Sequence, residues 1–349
     1  MAEEKRRQKR WKIILTVVTL LALLGLIYAV RNEIFETFAN LGRVNGYILL
    51  LMIPAQILNY HAYSKMYQHL FKILGNKFSY KRLLRITTEL NFVNNVFPSG
   101  GVSGFSYFGI RMKAERVSAG RATLVQVMRF ILLFISFQAL IIFGLFVLAL
   151  EGGVNNLVIL IAGSLATLTI VGTFILAFII GSKRRINNFF TYITKVFNRL
   201  IYTLRPKHPE TIDIARVQRI FTDLHENYRV FRKKPQVLKM PLFYALLANI
   251  GEVLTIYVVY LAFGEFVNIG AIILAYAIAN FAGFVSVLPG GVGIYEGLMT
   301  AVLVATGVPV GISISATVMY RVLNIGLQLP PGYFFYNKAI KDFKFKTPS

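Results

Sequence analysis

Long apolar runs with at most one charged side chain are the feature that most limits what this chain can fold into. Seven such runs occur in the 349 residues, at 13–30, 46–60, 130–150, 157–181, 241–263, 271–295 and 298–320. A helix needs about 20 apolar residues to cross the hydrocarbon core of a membrane. Hydrophobic residues make up 56% of the chain and charged residues 15%. We therefore predict an all-α integral membrane protein.

The residue types present argue against several kinds of site. The chain has no cysteine, which excludes disulfides, thiolate metal ligands and cysteine nucleophiles. Its four histidines are scattered, and none is spaced with a carboxylate as metal ligands are. No nucleotide-binding signature occurs either. We expect no metal ion and no cofactor.

The positions of the basic residues predict the topology. The net charge is +23, and 34 of the 38 Lys and Arg residues fall in five blocks, at 1–12, 65–85, 111–121, 183–239 and 338–346. Basic blocks beside membrane spans stay on the cytoplasmic side. We therefore place these blocks and both termini in the cytoplasm, and we read the charge as facing lipid rather than nucleic acid. The first apolar run would be a retained signal-anchor helix.

Two proline and glycine breaks interrupt the apolar segments, VFPSGG at 96–101 and VLPGG at 287–291. The first break lies between two basic blocks that are both predicted to be inside. Its arms of about 12–16 residues are too short to cross a core of roughly 30 Å. We predict a re-entrant hairpin from the cytoplasm here and an opposed one at the second break. Six full spans complete this topology, at 13–30, 46–60, 130–150, 157–181, 241–263 and 312–336. The alternative at each break is a kinked helix.

A shift of 191 residues aligns 96–98 with 287–289 and 127–128 with 318–319. Around these anchors, the order span, hairpin, span occurs twice. Three full spans separate the two breaks, and because this number is odd, the second copy has the opposite orientation in the membrane. Inverted repeats with broken helices are typical of secondary transporters. We divide the single membrane domain into a signal-anchor helix (1–45), repeat 1 (46–150), a linking helix (151–181), a basic amphipathic cytoplasmic insert (182–240), repeat 2 (241–337) and a tail (338–349).

Two sets of polar residues at membrane depth are candidate binding residues, because such groups are costly in lipid unless they are paired or hydrated. The phosphate-binding candidates lie at helix N-termini after the breaks or are arginines: Ser99, Gly100, Gly101, Arg111, Arg129, Gly290, Gly291 and Arg321. Candidates for a cationic headgroup or a coupled proton are Glu89, Asn91, Asn94, Asn95, Glu252, Glu296 and Asn324.

Structural roles stay open for some of these candidates. Arg129 could extend to the inner interface, where long basic side chains reach water. Glu296 could simply cap the helix after the second break. Glu252 and Arg321 could form a structural ion pair between the fifth and sixth spans.

The motifs NVFPSGGVSG (95–104) and VLPGGVGIYEG (287–297), with Arg111, Arg321 and Asn324, resemble the membrane region of the lysylphosphatidylglycerol synthase/flippase family. The resemblance covers nearly the whole chain and includes small stand-alone members. It implies a flippase or lipid-binding transporter for a phospholipid, such as aminoacylated phosphatidylglycerol, in a bacterial plasma membrane, with a link to antimicrobial peptide resistance. Family members that make the aminoacylated lipid add a soluble transferase domain. We expect no such transfer by this polypeptide alone.

Other functions remain open from the residues. The chain could be the membrane component of lysylphosphatidylglycerol synthesis, or an intramembrane enzyme or subunit acting on lipid-linked phosphates with Glu89 or Glu296 as general base. It could also be a structural partner of a synthase. The expected partners are membrane lipids, with a second copy of the chain or a separate synthase as further options, and not nucleic acid.

Overall fold

The computed structural model describes residues 17–97, 102–150, 156–204, 213–285 and 291–342, and the regular structure in these ranges is entirely helical. The helices are α1 (Val17–Ala29), α2 (Arg31–Asn40), α3 (Gly46–Leu49), α4 (Met52–Ile73), α5 (Tyr80–Val96), α6 (Val102–Ala114), α7 (Ala119–Leu150), α8 (Asn156–Ile180), α9 (Lys183–Leu204), α10 (Ile214–Lys233), α11 (Lys239–Ala262), α12 (Ile269–Val285), α13 (Ile294–Ala305) and α14 (Val310–Asp342). The predicted all-α membrane class is confirmed.

Length and apolar composition identify α7, α8, α11 and α14 as helices that can each cross a membrane. The pair α1 and α2, bent by 54°, makes a fifth crossing if it is one span. The predicted span at 46–60 falls in α3 and α4. Helix α4 is long enough to cross a membrane, but it is less apolar than the four helices above. Six spans therefore remain a prediction.

Helix α4 nevertheless runs antiparallel to α11 along most of its length. At one end the Asn45 amide N–H donates to the Ala262 carbonyl oxygen over 2.8 Å. Towards the other end the His69 and Tyr244 rings stack with their centroids 5.4 Å apart. Because α11 is long and apolar enough to cross, its neighbour α4 extends through the same depth, which supports a sixth span.

The helices on either side of the insert repeat in order and in length. Helices α4 to α7 have 22, 17, 13 and 32 residues, and α11 to α14 have 24, 17, 12 and 33. The Tyr67 hydroxyl on α4 donates to Gln126 on α7, and the Tyr260 hydroxyl on α11 lies 3.4 Å from the Thr317 hydroxyl on α14. Positions 126 and 317 differ by the same 191 residues, which supports the internal repeat.

The two short-helix pairs, α5–α6 and α12–α13, enter the bundle from opposite ends. Helix α5 runs antiparallel to α14, with Asn95 beside Gln328 and Phe92 beside Tyr336. Helix α12 runs antiparallel to α7, with Tyr276 beside Phe137 and Gly270 beside Gly144. By helical rise the four arms are only about 18–26 Å long. The hairpin tips, with Ser99, Gly100, Gly101 and Gly290, lie outside the described residues, and the position of each hairpin relative to lipid remains a prediction.

The insert forms two amphipathic helices, α9 and α10, that pack antiparallel. The Phe190 and Phe221 rings stack with their centroids 3.5 Å apart. Helix α10 is also tied to the start of α7, where the Ser118 hydroxyl donates to Asp223 over 2.6 Å and Arg121 donates to Asn227 over 3.1 Å. The insert therefore caps the predicted cytoplasmic end of α7.

We expect Gly251→Val to lower the thermal unfolding temperature of the protein in detergent. A Cβ atom at Gly251 would lie 3.1 Å from the Asn59 backbone nitrogen and 3.2 Å from the Ala55 carbonyl oxygen, so α4 and α11 would have to separate. Overpacking of this kind costs about 1–3 kcal/mol. Gly326→Ala is the control, because nothing lies within 4 Å of a Cβ there. Equal unfolding temperatures for Gly251→Val and the unsubstituted protein would contradict the close packing.

The topology can be tested with single cysteines, because the chain has no cysteine to give background labelling. Phe266 is 86% exposed in a predicted external loop, and Lys113 is exposed at the predicted cytoplasmic end. A membrane-impermeant maleimide should label the Phe266→Cys variant in intact cells, and the Lys113→Cys variant only after permeabilisation. The reverse pattern would overturn the orientation.

Candidate functional site

A buried polar network surrounds the Glu252 carboxylate near the middle of α11. By helical rise Glu252 lies about 20 Å from the first residue of α11 and about 15 Å from the last. Its two oxygens accept hydrogen bonds from Gln56 Nε2 (3.3 Å), Asn59 Nδ2 (3.1 Å), Tyr320 Oη (2.6 Å) and Asn324 Nδ2 (2.8 Å). No described Lys or Arg residue forms an ion pair with it. Neutral donors from α4 and α14 thus hold the carboxylate.

The same network reaches the end of the first arm of the first hairpin. Asn95, at the end of α5, donates to Gln328 Oε1 over 2.8 Å. Gln328 in turn donates to Asn324 over 2.9 Å and to Gln56 over 3.4 Å. Side chains from both repeats therefore meet in one connected set of hydrogen bonds at mid-depth.

A second buried site lies at the start of α13, just after the second break. The backbone there has positive φ at Gly291 (75°) and Gly293 (85°), a conformation that glycine adopts without strain. The Gly293 N–H donates to Glu296 Oε2 over 2.6 Å, and Arg321 Nε donates to Glu296 Oε1 over 2.7 Å. Glu296 therefore caps the helix and pairs with Arg321 at once. The ion-pair partner of Arg321 is Glu296 rather than Glu252.

Aromatic rings and one further acid connect this ion pair to its surroundings. The Arg321 guanidinium lies 4.3 Å from the centroid of the Tyr295 ring, which is 6.4 Å from the Tyr320 ring. Glu33 on α2 is close enough to interact electrostatically with Glu296 and Arg321. Because Tyr320 also binds Glu252, the second site adjoins the mid-depth network.

A third ionic group joins the arms of the first hairpin near its predicted cytoplasmic end. Glu89 is 2% exposed and accepts hydrogen bonds from Arg111 Nε and the Tyr107 hydroxyl, each over 2.9 Å. Glu115 accepts from Arg111 over 2.7 Å and lies 2.6 Å from Arg82 Nη2. Arg111 is thus held between two carboxylates, away from the mid-depth network.

Arg129 is held inside the bundle by aromatic rings of α4 and α7. Its guanidinium lies 5.3 Å from the Tyr63 ring centroid and 5.2 Å from that of Phe130. Its Nη1 atom is 3.5 Å from Gln126, while its buried Nε atom makes no hydrogen bond with any described residue. A buried donor without a partner needs an explanation, and one explanation is a ligand.

The other two asparagines of α5, Asn91 and Asn94, contact different helices. Asn91 lies beside the Tyr60 hydroxyl of α4. Asn94 packs against Gly104 of α6, where an added Cβ atom would overlap with the asparagine amide. Asn94 therefore holds the two hairpin arms together, and only Asn95 of the three joins the network.

Four residues of the network were absent from the candidates chosen by sequence: Gln56, Asn59, Tyr320 and Gln328. A signal for some of them existed. Gln56 and Asn59 are three residues apart within an apolar run, and Gln328 follows Asn324 by four. Polar residues at these spacings share one helix face.

Glu252→Leu should lower the unfolding temperature sharply, because it leaves several amide and hydroxyl donors without an acceptor. Each such loss costs about 1–3 kcal/mol. The measurement is thermal unfolding in detergent, with Glu36→Leu on the exposed face of α2 as the control. A Glu252→Leu variant as stable as the control would contradict the network.

Comparison with known proteins gives one family match and three archaeal relatives. Residues 13–332 match the family described as the lysylphosphatidylglycerol synthase TM region. A UPF0104 membrane protein of Methanocaldococcus jannaschii is 22% identical over 327 residues, which is 92% of each chain. One from Methanothermobacter thermautotrophicus is 33% identical over 91 residues, 26% of this chain and 27% of the relative. Another UPF0104 membrane protein from that organism is 29% identical over 110 residues, which is 31% of this chain and 32% of the relative. The expected bacterial origin stays a prediction.

Proposed function

Because this chain belongs to the family of the lysylphosphatidylglycerol synthase transmembrane region, we propose that it binds a phosphate-bearing lipid and moves its headgroup across the membrane. It is a multi-pass membrane protein, as its apolar helices and its family indicate. We assign it to the plasma membrane with both termini in the cytoplasm. The identity of the lipid is a separate question from the translocation.

The observation that supports this proposal best is the mid-depth network around Glu252. Polar side chains at this depth are expensive in lipid and commonly mark a transport pathway. The network joins α4 and α5 of one repeat to α11 and α14 of the other. Relative movement of two inverted repeats about such a site opens it to each side in turn.

Arg129 is the residue best placed to bind the phosphate. Its Nε donor has no hydrogen-bond partner among the described residues, whereas Arg111 is held by carboxylates on two sides. Arginine binds phosphate through several N–H groups in a fixed plane. A phosphate entering between α4 and α7 would satisfy the Nε atom.

Arg321 offers a second phosphate ligand that depends on Glu296. Glu296 accepts a hydrogen bond from Arg321 over 2.7 Å. An anionic headgroup would compete with this carboxylate for the Arg321 guanidinium, and Glu296 stays the candidate for a coupled proton. Glu252, whose partners among the described residues are all neutral, would meet a cationic part of the headgroup.

Liposomes containing the purified protein and a fluorescent phospholipid test the translocation directly. A membrane-impermeant reductant quenches only the outer leaflet, so lipid movement appears as loss of the protected fluorescence. We expect the Arg129→Ala and Glu252→Gln variants to slow this loss about 10-fold, the equivalent of one hydrogen bond to a charged group. Arg129→Lys should retain part of the rate because it keeps the charge.

Arg43→Ala, at an exposed arginine, is the matched control and should move lipid at the unsubstituted rate. Unfolding temperatures measured on the same samples separate a lost site from a lost fold. Translocation is refuted if the folded, unsubstituted protein moves no tested lipid faster than protein-free liposomes do.

A further inference from the structure

A second polar feature lies apart from the mid-depth network, at the end of the bundle where α5, α6 and α14 meet. A cavity of about 180 Å³ opens there. Its charged and aromatic lining consists of Arg82, Arg85, Glu89, Arg111, Phe335 and Lys338. These cations belong to three different basic blocks, all predicted to be cytoplasmic. The cavity therefore faces the predicted inner surface of the membrane.

The four cations that line this cavity differ in whether they are already paired. Arg111 and the exposed Arg82 each lie within 2.7 Å of Glu115 Oε1, and Arg111 also binds Glu89. At the rim, Arg85 and Lys338 are exposed and form no ion pair with any residue in the described ranges. Glu89 is the one carboxylate among the lining residues, and even with Glu115 counted two carboxylates accompany four cations, so the cavity has an excess of positive charge.

Arg85 has an aromatic neighbour at the cavity. Its guanidinium lies 6.0 Å from the centroid of the Phe335 ring, at the limit of a cation–π contact. Phe335 and Lys338 are both on α14, three residues apart and so on one face of the helix. Arg85 and Lys338 thus both line the cavity beside Phe335 and are both exposed.

Size and charge together select the class of ligand. Pockets for drug-sized ligands measure roughly 300–1,000 Å³, so this cavity suits a smaller group. A single phosphate carries negative charge in a compact form, and arginine and lysine are its usual ligands. Glu89 at the floor would repel an anion that went deeper. A phosphate would therefore stop at the rim.

We propose that Arg85 and Lys338 form an entry site that binds one phosphate group at the predicted cytoplasmic surface. The position beside the membrane favours the phosphate of an anionic lipid headgroup over a free phosphate ion. This inference deepens the proposed function, because it names where the headgroup is first recognised, and it adds two residues that lie outside the mid-depth site.

The test compares two probes on the full-length protein in detergent. Native mass spectrometry measures retained phosphatidylglycerol, and ³¹P NMR titration measures binding of inorganic phosphate. The double variant Arg85→Ala/Lys338→Ala should bind phosphatidylglycerol about 10-fold more weakly, because charged hydrogen bonds to phosphate are lost. The control double variant Lys81→Ala/Lys113→Ala removes two exposed lysines that do not line the cavity, and it should bind like the unsubstituted protein.

Each outcome decides between sources of the phosphate or rejects the site. Weaker phosphatidylglycerol binding in the rim variant alone supports the lipid headgroup. Weaker binding of inorganic phosphate only would support the phosphate chemistry and reject the lipid source. Equal binding in the rim variant, the control variant and the unsubstituted protein would overturn the entry site, as would equal losses in both double variants.

The entry site and the proposed function can fail separately. Glu252→Gln should retain phosphatidylglycerol at the rim while it slows translocation. If rim binding is absent but Glu252→Gln still slows translocation, only the entry site is wrong. If the rim binds lipid but the unsubstituted protein moves none, only the proposed function is wrong.

Discussion

The Glu252 carboxylate is the group on which the centre of this bundle depends. Four neutral donors from α4 and α14 converge on it, and no described cation compensates its charge. Each donor would be costly to bury alone, and so would the carboxylate. Their mutual satisfaction allows these polar groups to be buried between α4, α11 and α14, where Gly251 lets α11 approach α4 closely.

Around this centre the two hairpins use ion pairs in different ways. In the first, Arg111 binds Glu89 and Glu115, which joins its two arms near the predicted cytoplasmic end. In the second, Glu296 caps α13 and binds Arg321 of the neighbouring long helix. One hairpin is therefore closed on itself, while the other is tied to the helix that also carries Asn324. Glu296 is therefore separated from the central network only by Arg321 and the Tyr295 and Tyr320 rings.

Several elements followed from local patterns in the sequence. Apolar length predicted α7, α8 and α11, and the 191-residue shift predicted which helices would correspond. Helical spacing of apolar residues in the insert predicted α9 and α10. The hydrogen bonds and ion pairs between helices were harder to predict, because the partner of a polar side chain depends on which helix faces pack together. Arg321 could equally well have met Glu252 or Glu296, and Gln56 looked like one polar residue in an apolar run.

The sequence by itself determined the membrane class, the family, the repeated order of helices and the position of both breaks. These features depend on residue composition and spacing, which can be read from each segment of the sequence alone. Only the tertiary structure decided that Asn95 reaches Gln328, that Arg111 is already occupied, and that Arg85 and Lys338 share the mouth of a cavity. The physical reason is that hydrogen bonds and ion pairs act over about 3 Å, and packing alone brings side chains so distant in sequence within that range.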